Sequence, residues 1–552
     1  MTTETTVREL VEKHFARAGL APVAIQVRSF PGETIAIVEV DHDYERALAL
    51  AEELDAQIEN GFVTVRQVVS RSAAAQSSDP VKSVHDERIA VLIELMNARA
   101  RSSENQPSLR YVEDIEERLK LAVSPRHHLI FGRRGVGKTS LLLEGKRLLE
   151  GNGAYVLWVN MHSLRGLDSK DAFFTIASRL CDLAIGAFHG PEASAGSTKL
   201  LQAVRQVLEQ QLYAAPDLKN PSLVVPKLQQ ALSRFCLETN RSIYIFLDDV
   251  HYLPSQQVPA FLDVLHGITR DNPIWLKVAG IQHQTRWFIP NPPTGLQTGH
   301  DAAIINLDVT LEHPERAKRF LQTVLRAYVD ECHAAPVSNF LSPSAVDRLV
   351  VASGGVPRDF LTLCAASLQT ARQRPNARTV GVQDVNNAAG IAAQTKLQEL
   401  EDDAAAALGR SQILVSALNC IRDFLLTSEQ ITFFRIDFRD KEVNPAEYRL
   451  LQALADLRML HLINASLSDP HHAGHRSEVY LLDLSQYSGS RLKQKLTVLD
   501  FESGHMVLKR TRSSEPMRVG DTVLRLVALL RKGPVFDLTR LSPMVADAGG
   551  MP

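Results

Sequence analysis

The chain has 552 residues, 45% of them apolar and 22% charged, with a formal net charge of −2. That composition excludes a disordered protein, and the length exceeds what one hydrophobic core serves, so about three or four domains are expected. Near-neutral charge leaves no global field to hold the molecule on nucleic acid or an anionic membrane. The five cysteines, Cys181, Cys236, Cys332, Cys364 and Cys420, lack metal-ligand spacing and read as buried free thiols of a reducing compartment. No signal-like start and no apolar run of about 20 residues is present, so a cytoplasmic protein without membrane contact is expected.

Residues 5–20 carry a helical pattern, and 23–30 and 34–40 alternate like two strands around Pro31-Gly32. A helix over 44–58 and a strand over 62–69 complete a small αββαβ domain, placed at 1–70. It holds 12 acidic against 6 basic residues, a net −6 that disfavours nucleic acid and favours a protein partner. A Ser, Ala and Gln-rich stretch follows, so 71–109 is expected to be a linker and a helix. A helix over 111–123 leads into an apolar strand. Further strands are expected at 155–160, 242–247, 274–281 and 303–307, with helices between them. That alternation specifies a parallel sheet covered on both faces, a core at 110–310. Residues 311–405 read as a helical lid and 406–490 as helices followed by two strands, the pattern of a winged helix. The remainder, 491–552, is a basic extension with 11 Lys/Arg against 6 acids and a frayed end.

The most specific signal is Leu129-Ile-Phe-Gly-Arg-Arg-Gly-Val-Gly-Lys-Thr-Ser140, a P-loop between an apolar strand and a helix. Gly132, Gly135 and Gly137 permit the tight turn, so that amides along Arg133, Arg134, Val136 and Ser140 can face phosphate oxygens. Lys138 supplies a point charge to the β- and γ-phosphates, and the Thr139 hydroxyl can ligate Mg²⁺. The strand ending in Phe246-Leu-Asp-Asp249 puts two carboxylates at the ligand-binding edge of a parallel sheet. Asp248 is expected to hold Mg²⁺ through water and Asp249 to orient or deprotonate the attacking water. Gln282 and His283 end another strand at the same edge. Gly355-Val-Pro-Arg358 starts a lid helix with Pro357 near its first position and presents Arg358 toward the γ-phosphate.

Together these motifs resemble the AAA+ ATPases of the origin-recognition initiator type and the related signal-transducing NTPases called STAND. Gly132–Thr139 matches Walker A, Phe246–Asp249 Walker B, Gln282 and His283 sensor 1, and Gly355–Arg358 sensor 2. The resemblance covers residues 110–375, and a following winged helix extends it to about residue 487. It implies an α/β P-loop core with an all-α lid and a winged helix, ATP and Mg²⁺ as cofactors, and homo-oligomers formed on nucleotide binding. A trans-acting arginine is also implied, with Arg286 and Arg270 as candidates. Two departures are visible. Asp249 is one methylene shorter than the Glu often found there, which implies slow turnover, and sensor 1 lacks the Asn common among initiators.

The helix after Asn444-Pro445-Ala-Glu447 has an N-cap, a Pro at its first position and a Glu two further on, and its only basic side chains are Arg449 and Arg458. Segment 411–490 holds 7 Lys/Arg against 10 acids, so DNA is left open as a partner without support from charge. The expectation is an ATPase switch coupling nucleotide state to assembly or to a protein partner. That partner would bind through the N-terminal or winged-helix domain. A role in bacterial defence or signalling follows only from the resemblance. A DNA-binding regulator and a nucleotide-binding scaffold with negligible turnover are the alternatives.

Overall fold

The computed structural model describes residues 4–22, 24–30, 33–40, 43–55, 58, 61–67, 79–99, 111–112, 117–187, 195–405, 410–469, 471–472, 474–488, 496–502, 505–510 and 526–549. The chain divides into two compact units, 1–79 and 80–552. The polar gap at 102–108, most of the linker expected after residue 70, and Arg512 in the basic tail lie outside the described residues.

In the first unit α1 (Glu4–Arg17), β1 (Ala24–Phe30), β2 (Glu33–Val40), α2 (Tyr44–Asp55) and β3 (Gly61–Gln67) follow the expected order. β2 lies centrally, antiparallel to β1 and parallel to β3. Its alternate residues Ala36, Val38 and Val40 are buried with Val7, Val11 and Phe15 of α1 and Ala47, Ala51 and Leu54 of α2, the period-2 pattern of a half-covered sheet.

In the second unit α3 (Glu87–Ala98) and the short α4 (Arg118–Val123) precede β4 (His127–Phe131) and α5 (Lys138–Gly151). Glu117 takes a left-handed conformation, so α4 begins there, later than the expected start at 111; residues 113–116 lie outside the described residues. Next come β5 (Tyr155–Asn160), α6 (Ser169–Ala187), α7 (Ala195–Leu212), α8 (Val225–Thr239), β6 (Ile243–Asp248), α9 (Val258–Thr269) and β7 (Ile274–Gly280). A small hairpin of β8 (Phe288–Pro290) and β9 (Pro293–Gly295) leads to β10 (Ala302–Asn306). The five longer strands make one parallel sheet in the order β10-β4-β7-β6-β5. Leu141, Leu142 and Leu149 of α5 cover one face against Ile130, Val156 and Phe246. Phe173, Phe174 and Ile176 of α6, with α8 and α9, cover the other against Leu129, Leu157, Ile245 and Leu247. The α/β P-loop core with a sheet covered on both faces is therefore present as expected.

The lid consists of α10 (Pro314–Glu331), α11 (Pro343–Ala352), α12 (Pro357–Arg372) and α13 (Val382–Ala405). α3 joins it although it precedes the core in sequence: Arg88 donates to the His333 carbonyl and Arg372 to those of Val84 and Asp86. Beyond the lid, α14 (Arg410–Arg422) runs into a π-helical turn, and β11 (Phe433–Asp437), α15 (Phe438–Val443), α16 (Pro445–Asp456), β12 (Leu460–Ser468) and β13 (Arg476–Leu482) follow. The strands form an antiparallel sheet in the order β11-β13-β12. Asn444 makes no side-chain cap and Glu447 instead accepts from Ser542, so the capping expected from sequence is replaced by a tertiary bond. The remaining β14 (Thr497–Glu502), β15 (His505–Arg510) and α17 (Leu526–Leu530) bury Val498, Leu508 and Leu530 in the same core as α14 and β11–β13, and Leu541 joins them from the turn that precedes α18 (Ser542–Gly549). The basic extension expected at 491–552 is thus packed over its described residues, and residues 550–552 of the end expected to fray lie outside them.

Candidate nucleotide site

The C-terminal ends of β4, β6, β7 and β10 meet at one edge of the sheet, and the expected site residues gather there. The loop after β4 needs a left-handed backbone twice, at Gly135 (φ +82°) and Gly137 (φ +104°), where an L side chain would be strained. α5 then begins at Lys138, so its N-terminal amides and dipole face the loop.

Lys138 is buried and its ammonium donates to the Gly132 carbonyl at 2.9 Å and the Arg133 carbonyl at 3.2 Å. Burial lowers its pKa, and the carboxylates of Asp249, Asp248 and Asp308 oppose that loss. Thr139 donates its hydroxyl proton to Asp248 Oδ2 at 2.8 Å. Burial, reinforced by adjacent Asp249, pushes the Asp248 carboxyl up to about 7 against the pull of Thr139 and Lys138. Asp248 Oδ1 is buried without a hydrogen-bond partner among the described residues. A buried carboxylate with one oxygen unmet beside a hydroxyl is an oxygen-donor set of the kind a hydrated divalent cation takes. Thr139 and Asp248 therefore fit Mg²⁺.

Asp249 stands at the end of β6 in the left-handed region (φ 60°), about a third exposed, with His251 Nδ1 3.8 Å from Oδ1. Its position is open to water where that of Asp248 is closed. Gln282 and His283 form a turn past the end of β7 and are exposed. Arg358, in the first turn of α12, lies against the loop: its amide donates to the Gly135 carbonyl at 3.3 Å, and a Cβ on Gly135 would sit 2.8 Å from the Arg358 Cβ. Arg134 and Ser140 are half-buried at the loop, and Val136 is buried with Leu307 and Val356.

Arg133 bonds on both sides of the loop. Its amide donates to Asp308 Oδ1 at 2.9 Å, and its guanidinium bonds Asp308, the Val309 carbonyl and the Gly354 carbonyl. Expected among the phosphate contacts, it ties the loop to the lid in the structure. Asp308, two residues past β10, was missed; its location at the same strand edge was the available signal. The two arginine-finger candidates separate as well. Arg286 follows the C-terminal end of β7, whereas Arg270 caps α9 before β7 begins, at the far edge of the sheet.

A seam of buried charge joins the lid to the module made of α14–α16 and β11–β13 behind the site. Arg458 is ion-paired with Asp359, the neighbour of Arg358. Lys396 lies 2.8 Å from Asp483 and 3.6 Å from Asp359, and His461 Nε2 lies 2.8 Å from Asp483. Burial raises the Asp359 carboxyl, but Arg458 and Lys396 more than reverse this and hold it below the usual range. His461 packs on Gly354, where a Cβ would collide with its ring. No local pattern marks these residues; their partners are distant in sequence. Among the described residues no cluster of His, Cys, Asp or Glu that would by itself hold a metal ion is present, and no helix is long and apolar enough to cross a membrane. The cysteines are free and Cys181, Cys236 and Cys364 are pushed up to about 12 by burial, so these thiols stay protonated.

A five-stranded parallel sheet with a phosphate loop after β4 and paired carboxylates after β6 defines a P-loop nucleotide-binding fold. No protein-family model and no curated protein matches the chain. Among solved structures it is similar to Aeropyrum pernix Orc1 in complex with DNA, at 15% identity over 68% of this chain and 91% of that one, TM-score 0.34. It is also similar to Pyrobaculum aerophilum Cdc6p, at 14% over 65% and 86%, TM-score 0.29. A point variant of Thermotoga maritima RuvB is similar at 13% over 68% and 95%, TM-score 0.31.

Proposed function

We propose that the chain is an ATP-binding switch of the AAA+ and STAND kind, slow in hydrolysis, that couples nucleotide state to assembly or to a protein partner. The observation that carries this reading is the convergence of Lys138, Thr139 and Asp248 at one strand edge, with Arg358 of the lid laid over Gly135.

The triphosphate lies along residues 132–140. Lys138 exchanges its two carbonyl partners for β- and γ-phosphate oxygens, recovering the solvation that burial denies it. Held by Thr139 and Asp248, Mg²⁺ neutralises the phosphate oxygens when bound. Asp249 orients water at the open side of the site, and its short reach keeps turnover slow. Arg358 reports the γ-phosphate to α12. Arg286, on the phosphate side of the sheet, is the better placed of the two arginines to serve a neighbouring copy. The 410–487 segment is read as a winged helix and the acidic 1–70 unit as a docking domain for a protein partner.

One observation weighs against the DNA-regulator reading. Of the two basic side chains expected on the recognition helix, Arg458 is buried in its ion pair with Asp359, which leaves Arg449 alone for phosphates. The test is ATP turnover with and without duplex DNA, beside Lys138→Ala and Asp249→Ala. Slow turnover indifferent to DNA and lost in both variants supports the switch. Stimulation by DNA replaces it with the DNA regulator, and nucleotide binding without turnover replaces it with a scaffold.

A further inference from the structure

Asp456, the last residue of α16, breaks three local rules at once. A carboxylate at a helix C-terminus meets the negative end of the dipole. The residue is only 4% exposed, and its Oδ2 has no hydrogen-bond partner among the described residues. Burial and the nearby Asp308 carboxylate push it up to about 7, against Arg133, Lys138 and Arg134, all residues of the phosphate loop. An isolated buried carboxylate of this kind is costly and is retained where function needs it.

The surroundings fix where it sits. α16 packs on the turn at 282–284, past the end of β7. Two residues beyond Asp456, Arg458 is tied to Asp359, next to Arg358. Three further on, His461 packs on Gly354, whose carbonyl accepts from Arg133 of the phosphate loop. Asn464 of β12 donates to Glu312 at the start of the lid at 3.2 Å. The module is therefore docked across the phosphate-binding edge, with Asp456 on its inner side.

We propose that Asp456 discriminates nucleoside diphosphate from triphosphate: buried in the segment that docks across the phosphate-binding edge, its carboxylate acts on the loop cations as an internal anion and opposes a γ-phosphate in the same field. This rests on the P-loop being a nucleotide site, and it assigns the discrimination to a residue outside the P-loop core. By reciprocity, whatever Asp456 costs the triphosphate, the triphosphate costs docking. Asp308, Arg133, Lys138 and Arg134 are the charged groups whose fields act most on it. Asparagine keeps the shape and removes the charge.

The experiment measures affinities of the full chain for fluorescent ADP and for a fluorescent non-hydrolysable ATP analogue, with Mg²⁺ and at a pH well above 7 so that the Asp456 carboxyl is ionised, in wild type, Asp456→Asn and Asp456→Glu. Thermal melts check that each variant is folded, and Asp456→Ser stands in should the Asn form fail. The charge-removing variant is expected to shift the analogue-to-ADP preference toward the analogue by about tenfold, a usual size for intramolecular coupling. Asp456→Glu is expected to retain the wild-type preference. A preference unchanged by Asp456→Asn, or two affinities that move together, overturns the proposal while leaving the nucleotide site intact. Wild-type protein that binds neither nucleotide overturns the nucleotide reading and this inference with it.

Discussion

The two edges of the central sheet solve the burial of charge in opposite ways. At the C-terminal edge Asp248 and Asp456 each keep a buried oxygen without a partner among the described residues, and the Lys138 ammonium makes do with two loop carbonyls. At the N-terminal edge Lys277, wholly buried, is fully met: its three donors go to the carbonyls of Ser124 (2.7 Å) and Arg126 (2.8 Å) and to His128 Nδ1 (2.9 Å). Burial alone pulls the Lys277 ammonium down to about 7. His127 packs edge-on to His266, with ring centroids 5.1 Å apart, and accepts the Leu276 amide. The same sheet therefore carries one lysine whose needs are left for a ligand to meet and one whose needs the fold meets by itself. Between these two lysines it is the unmet demand of Lys138, rather than buried charge as such, that marks the working edge.

Substitution of the two lysines separates the edges most sharply. Lys138→Ala is expected to lower ATP turnover by roughly 100-fold or more, the usual cost of a lost charge-stabilising donor, while the folded state is retained. Asp249→Asn is expected to lower turnover by about 100-fold with nucleotide affinity preserved, as for a water-activating carboxylate. Lys277→Met should leave turnover unchanged and cost about 1–3 kcal/mol of stability in urea unfolding, because three acceptors lose their donor. A loss of turnover in Lys277→Met would break the comparison.

Proton linkage gives a smaller effect. Burial pulls His127 down to about 4 and His128 to about 3, from an ordinary 6.5. The unfolded chain therefore binds more protons as pH falls below 6.5, and the far edge loses stability progressively down to about 4. The Lys277 linkage acts at higher pH, where the unfolded lysine stays protonated up to about 10.5 and the folded one does not above about 7, so stability rises with pH across that window. Thermal melts from pH 4 to pH 9 check both signs. The smallest effect is expected at Arg449, exposed on α16, where Ala should change stability by under about 0.5 kcal/mol.

How much of this was legible in the sequence depended on the range of the contacts. The loop at 132–140 is a local pattern, and strand, turn and helix all fall within about one supersecondary unit. Asp248 was legible because an apolar strand ends on it. The N-terminal αββαβ order followed from period-2 runs such as 34–40. The tie of Arg133 to the lid was not legible because its partner Asp308 is 175 positions away. Arg458 read as one of two basic side chains of its helix and Asp456 carried no local signal, because the partner of Arg458, Asp359, lies 99 positions away. Glu447 carried a capping signal that a distant Ser542 overrode. Local chemistry announced the site, and tertiary contacts decided what closes over it.

The most direct test of the central claim is calorimetric titration of the full chain with ATP, with and without Mg²⁺, beside Lys138→Ala. The account predicts one Mg²⁺-strengthened site per chain in wild type and none in the variant. Binding that survives Lys138→Ala, or that ignores Mg²⁺, would contradict the assignment of the β4–β6 edge as the nucleotide site.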